Sequence, residues 1–221
     1  MTLRLPLIFL TTISLLLCAH PALARKSETS ITLRLMACEV TKEQPKVFLE
    51  TKDSKSDAFD LPSSALTASM EVSGRAVELK AADGNALLSS IALPDQGASF
   101  AVLLVPQEPS GFLPIVVRLD DESFKPGEYC FINGSDKTVV VKLGGTEVVV
   151  DAGNAVKAHP TEPVHNHHYN VTMSARSDSG DKLFASTRWP LNNAVRSYIM
   201  LLSKPGGKIN YRSVDESVEK R

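Results

Sequence analysis

Thr138-Val-Val-Val-Lys-Leu-Gly-Gly-Thr-Glu-Val-Val-Val150 is the stretch from which the fold is read. Two β-branched runs flank a Gly-Gly pair. A primed two-residue turn needs positive φ at its central residues, and glycine takes it without a Cβ clash. The stretch therefore reads as a β-hairpin. Upstream, Phe124-Lys-Pro-Gly-Glu-Tyr-Cys-Phe-Ile-Asn-Gly-Ser135 reads as a Pro-Gly turn opening a strand over 128–132, which ends on turn residues. Downstream, Asp151-Ala-Gly153 is another turn.

The same grammar extends in both directions. Residues 31–36 alternate, with Ile31, Leu33 and Leu35 on one face, and 47–49 form a short apolar run. Residues 76–80 and 87–93 flank Asp83-Gly-Asn85, a turn signal because glycine supplies positive φ and asparagine tolerates it. Residues 100–105 are apolar throughout, as in a strand buried on both faces. Pro114 opens the next strand, 115–119, where a missing amide donor is tolerated. Further strands are expected over 169–175, 183–189, 197–202 and 209–213, and 52–64 reads as a polar loop. Only 61–70 and 191–198 carry helical spacing, and both are short. No period of roughly 20–50 residues repeats, which disfavours a solenoid or propeller.

The predicted fold is an all-β, Ig-like antiparallel β-sandwich built from hairpins, with at most short helices. One continuous domain is expected over 25–214, because 115–119 and 128–132 are close enough in the chain to pair. Two lobes divided near 120 are the alternative. Residues 215–221 form a charged tail expected to fray or make one helical turn.

The first 24 residues read as a secretory signal peptide. Arg4 gives a positive start, 5–17 an almost uncharged apolar run, and Ala22-Leu-Ala24 a small-residue cleavage site. The run is short for a membrane span, and Leu17 sits before Cys18 where a lipobox wants a small residue. Cleavage after Ala24 places the protein outside the cytoplasm, in the periplasm or secreted, with no membrane span left. The chain holds 24 basic and 25 acidic residues, a formal net charge of −1. Cleavage removes only Arg4 from that balance. Such a chain has no global field with which to hold nucleic acid.

Export also sets how the cysteines read. Cys18 leaves with the signal, and Cys38 and Cys130 then sit in an oxidising compartment. A single disulfide between them is expected, tying the first strand to mid-chain. The alternative is two buried thiols acting as small hydrophobes.

Among groups that could carry chemistry, His159, His165, His167 and His168 cluster. The i, i+2 spacing of His165 and His167 puts two imidazoles on one face of a strand and suits Zn or Cu, with Glu162 and Asp181 as oxygen donors in reserve. A polar loop containing Pro160 and Pro163 is the competing reading. A blue-copper site is excluded, because Cys130 is followed by Phe131, Ile132 and Asn133 rather than a nearby His. No Gly-x-Ser-x-Gly elbow is present, and Asp120-Asp121-Glu122 reads as a solvated turn lacking the ligand pattern of a calcium loop. Gly144-Gly145 and Gly206-Gly207 are hairpin glycines rather than a phosphate cradle. Asn133 and Asn170 head Asn-x-Ser/Thr triplets that matter only in a host that glycosylates them. Arg188, Trp189 and Arg196 are binding candidates, since Trp and Arg are frequent hot-spot residues. A lone Trp also plugs sandwich cores, with an Arg laid over it.

The run Phe124 to Ser135 just quoted, the valine-rich strand, Leu143-Gly-Gly145 and Val150-Asp-Ala-Gly153 carry a family pattern, with Arg196-Ser-Tyr-Ile-Met-Leu-Leu202 as a later Arg-led hydrophobic strand. The pattern resembles uncharacterised exported β-sandwich proteins of Verrucomicrobia- and Planctomycetes-type bacteria. It covers the last half of the chain and rests on turns. It implies no catalytic residue or cofactor. The functional expectation is an exported, non-catalytic binding or envelope-assembly module whose partners are other envelope proteins. The alternative is a periplasmic metal-binding protein that holds Zn or Cu through His165, His167 and His168.

Overall fold

The computed structural model describes residues 30–39, 46–107, 109–161, 167–204 and 206–217. From Ile31 onward these residues are organised by strands. The first half contributes β1 (Ile31–Ala37), β2 (Val47–Glu50), β3 (Met70–Val72), β4 (Ala76–Ala81), β5 (Leu87–Ala92), β6 (Ser99–Pro106) and β7 (Phe112–Arg118). The second contributes β8 (Tyr129–Gly134), β9 (Val139–Leu143), β10 (Thr146–Val150), β11 (Ala155–Ala158), β12 (His168–Ala175), β13 (Lys182–Pro190), β14 (Val195–Lys204) and β15 (Lys208–Ser217). The fold is an all-β sandwich. The hairpin read first is present as β9–β10, with Leu143 opposite Thr146 and Val139 opposite Val150. Gly144 takes φ 59°, the positive value a primed turn needs at its first central position.

The strands form four sheets, ordered β3-β1-β6-β7, β2-β4-β5, β11-β8-β14-β15 and β10-β9-β12-β13. Two of them each contain one parallel pair, β1 with β6 and β8 with β14, within otherwise antiparallel pairing. The two halves of the chain repeat one topology. Strands β1, β2, β3, β4, β5, β6 and β7 occupy the places of β8, β9, β11, β12, β13, β14 and β15, and β10 is an addition to the second half. Among the described residues no strand pairs across the halves. The expected pairing of 115–119 with 128–132 does not form, because β7 pairs with β6 while β8 pairs with β11 and β14.

Three apolar layers follow from side-chain alternation. Leu33, Leu35, Phe100, Val102 and Leu104 face the β2-β4-β5 sheet and pack on Val77, Leu79 and Ile91. Phe131, Ile199 and Leu201 face the β10-β9-β12-β13 sheet and pack on Val141, Val171 and Met173. The intervening residues form the middle layer, where Met36, Leu103 and Val117 of one half meet Ile132, Tyr198 and Met200 of the other. β6, β8 and β14 are thus buried on both faces, which is why their sequences read as apolar runs, while β1 alternates up to Leu35 and is buried on both faces only from there. The order of layers is sheet, sheet, sheet, sheet, with the two parallel-containing sheets back to back.

Residues 61–69 form no helix despite their spacing. Leu61 drops into the first core while Leu66 packs against the middle layer. The segment instead runs beside β1, with Pro62 accepting the Ala37 amide and Thr67 donating to Leu35. Residues 191–198 become a turn and the start of β14. At the far end β15 continues through Asp215 and Glu216 to Ser217, so the start of the expected tail is strand.

Candidate functional site

The densest polar chemistry lies at the seam between the halves. β14 and β15 pair with Arg196 opposite Glu216 and Tyr198 opposite Val214, so Arg196, Tyr198, Val214 and Glu216 all face the middle layer. Glu216 accepts from Arg34 of β1 on one carboxylate oxygen. On the other it accepts the Tyr198 hydroxyl at 2.7 Å and lies 3.4 Å from Arg196. Arg34 also donates Nε to the Thr67 carbonyl at 3.0 Å. Arg196 donates to the Leu119 carbonyl at 2.9 Å, and its guanidinium lies over the Phe124 ring, 5.2 Å from the centroid. Burial, and then the neighbouring Glu216 carboxylate, push the Tyr198 phenol well above its ordinary range. The hydroxyl therefore stays a donor. This constellation joins the two halves and offers no free nucleophile.

The linker 119–128 is tied into the same seam. Asp120 accepts the Ala98 amide and Arg118, each at 2.8 Å. Asp121 accepts Lys157 at 2.7 Å and the Ser123 amide at 2.9 Å. The Lys157 hydrogen bond, followed by that from Ser123, holds the Asp121 carboxyl well below the usual carboxylate range. The acidic run is a turn with Asp120 and Glu122 exposed, and the contacts of Asp120 and Asp121 anchor it to the seam.

Cys38 and Cys130 are free and buried, which corrects the expected disulfide. Both border the middle layer, at different places along it. Cys38 follows Ala37, whose partner is Leu104, and so stands beside Val105. Val105 packs on Gly134, at the far end of β8 from Cys130. Four residues of strand span about 13 Å, well beyond the roughly 7 Å that a bridge tolerates between Cα atoms. Burial pushes each thiol up to about 12, so neither is a poised nucleophile.

Arg188, Trp189 and Arg196 do not converge. Trp189 turns inward and stacks on Tyr129 (5.3 Å between centroids) and Phe131 (6.1 Å), with Tyr211 tilted against it at 6.0 Å. It plugs the second core. Arg196 covers Phe124 in the seam instead, and Arg188 is exposed on β13 opposite Asn170. No family model matches this chain, and no curated protein matches it at a significant level.

The histidine cluster is only partly in view. His165 and Glu162 lie outside the described residues. His159 Nδ1 is 3.4 Å from Glu128, His167 has φ 61°, and His168 opens β12. Asp181 is not near them. It pairs with Arg176 at the turn beyond Ala175, a strand length of about 23 Å from His168. Among the described residues no group of three or more His, Cys, Asp or Glu is placed to hold a metal.

Asn133 is a structural residue that sequence reasoning passed over. Its buried amide donates to Lys137 and Val150 carbonyls at 2.7 and 2.8 Å and accepts the Ser135 hydroxyl at 2.6 Å. The triplet read as a glycosylation acceptor is the pin of the β8–β9 turn. The Asn-Gly-Ser turn signal pointed there, but not to the burial.

Of the described sheet edges longer than four residues, β5 and β13 have middles that lack both charge and proline, and the longer is β13. Among the described residues it pairs on one side only, with β12. It is nine residues long, and Leu183-Phe-Ala-Ser-Thr187 carries neither charge nor proline. Leu183 is 56% exposed, the most exposed large hydrophobic side chain described.

Proposed function

We propose that the protein is an exported, non-catalytic binding and assembly module that takes an extended segment of another envelope protein along the outer edge of β13. The length of β13 among the uncharged sheet edges carries this reading: β5 (Leu87–Ala92) also lacks charge and proline, but it is six residues long and Gly111 lies against its Leu88 backbone, while β10 carries Glu147. Sandwich proteins blunt their edges with charge, proline or shortness, since an open ladder recruits further strands. β7 carries Pro114, and β15 carries Lys208, Arg212, Asp215 and Glu216. β2, β3 and β11 are only three or four residues long. β13 has its charges, Lys182 and Arg188, near its ends, leaving an uncharged middle. An added strand would draw affinity from main-chain hydrogen bonds and selectivity from alternate side chains. The exposed Ser186 and Arg188 are the ones an incoming segment would meet. The uncharged middle of β13 suits a partner segment that is itself uncharged and β-branched. The N-terminal signal read from the sequence supports an encounter outside the cytoplasm.

The test is a photo-crosslinking residue at the exposed position 188 in the producing cell, with the adduct identified by mass spectrometry and the complex recovered for amide exchange. The expected result is one specific adduct, slowed exchange over 182–190, and loss of both in Ser186→Lys, which puts a charge on an already exposed position. Exchange over 182–190 that is unchanged in the complex overturns the proposal. So does an adduct that Ser186→Lys leaves intact.

A further inference from the structure

We infer that a cleft at the seam, remote from the β13 edge, binds the carboxylate of a small organic acid through Arg212. The cleft has a volume of about 380 Å³, within the size range of small-ligand pockets. It opens where the end of β1 approaches the β14–β15 hairpin, and both halves of the chain contribute to it. Asn210 and Arg212 are two apart on β15, opposite Leu202 and Met200 of β14, so both project to the same side of the sheet. Ser63 and Cys38 line it from the first half, and Leu202 and Lys204 from the second.

Charge bookkeeping across this strand face singles out Arg212. Further along the same face Glu216 is shared by two arginines, Arg34 and Arg196. Within the cleft, Lys204 is paired with Glu39 at 3.0 Å. Arg212, partly buried, has neither an ion pair nor a hydrogen bond among the described residues. Its charge is close enough to Cys38 to oppose the effect of burial on that thiol. A half-buried guanidinium with no donor used among the described residues is matched by a planar acceptor of one negative charge, and a carboxylate takes two parallel N–H bonds from it. Asn210 uses its side-chain oxygen on the Tyr211 amide at 2.9 Å, which leaves its NH2 group as a second donor. Leu202 and the Cys38 thiol give the apolar part of an otherwise polar lining, against which the body of a small acid would rest. With the other cleft charges paired to one another, the single uncompensated positive charge favours a monocarboxylate over a phosphate dianion.

The experiment is a ¹H–¹⁵N NMR titration of the purified protein with sodium acetate, sodium benzoate and sodium phosphate, each at matched ionic strength with sodium chloride as the blank. Saturable shifts at Asn210 and Arg212 with a carboxylate are expected. Affinity should fall at least tenfold in Arg212→Gln and by a smaller factor in Asn210→Ala, with the remaining resonances unmoved. If Arg212→Gln fails to fold, Asn210→Ala carries the comparison alone. The absence of a saturable shift with either carboxylate overturns the inference. Carboxylate binding unchanged by the substitutions does so too, as does tighter binding of phosphate than of both carboxylates.

Discussion

Burial keeps Cys38 and Cys130 protonated, and the consequence is a pH dependence with a definite sign. Each thiol is pushed up from an ordinary value of 9 to about 12 by loss of solvent, and Tyr129 from 10 to about 12 by the same cause. Above pH 9 the unfolded chain gives up protons that the folded chain retains. The stabilisation is therefore complete below about pH 9 and is lost as pH rises toward 12. Between about pH 8 and pH 10.5 the loss approaches about 2 kcal/mol per thiol. The urea midpoint should fall across that interval, and less steeply in Cys130→Ala. A flat or rising midpoint would contradict the assignment. Asn133 carries a related lesson. Its sequence context shows a turn, and three of its four side-chain hydrogen bonds stay within that turn, to Ser135 and Lys137, whereas the fourth, to the Val150 carbonyl, depends on a segment that only the fold brings alongside.

Hairpin β9–β10 could be read from its residues because every requirement is local: β-branched runs, two glycines, and a matching register. Gly144→Ala tests the turn chemistry, since an alanine at φ 59° meets a Cβ clash costing about 1–2 kcal/mol. Urea unfolding should show that loss, and a change below a few tenths of a kcal/mol would mean the turn relaxes freely. The doubly buried strands were equally legible, as in residues 100–105, because burial on both faces leaves little room for polar residues. The strands that escaped notice, β3 and β11, occupy the same edge position in the two halves. Both are only three or four residues long and have mixed burial, too little for a period of two to register. The duplicated topology was invisible for a different reason. It is a repeat of strand order and sidedness, which Leu33 and Leu35 satisfy in one half and Tyr129 and Phe131 in the other. The apolar spacing over 61–70 misled because Leu61 and Leu66 serve two different cores.

Across the molecule, the middle apolar layer and the Arg34–Glu216–Arg196 cluster make one unit of two similar halves. Trp189 is the only tryptophan and sits in the second core, so its fluorescence follows that half, while far-ultraviolet circular dichroism follows both. In urea the two signals should coincide. Glu216→Ala leaves two guanidinium groups and the Tyr198 hydroxyl without their shared acceptor. Breaking a fully buried pair costs about 3–5 kcal/mol, and partial exposure here lowers the expectation to about 2–3 kcal/mol. Both signals should shift together by that amount. A circular dichroism transition that precedes the tryptophan signal would show the halves unfolding separately.

The back-to-back packing has one more consequence. The faces that meet in the middle layer come from equivalent strands, β1, β6 and β7 against β8, β14 and β15. Two separate chains associating this way would obey mass action, dissociating on dilution. The linker 119–128 removes that dependence. It holds each face at the fixed effective concentration of a short tether, so dilution cannot part them.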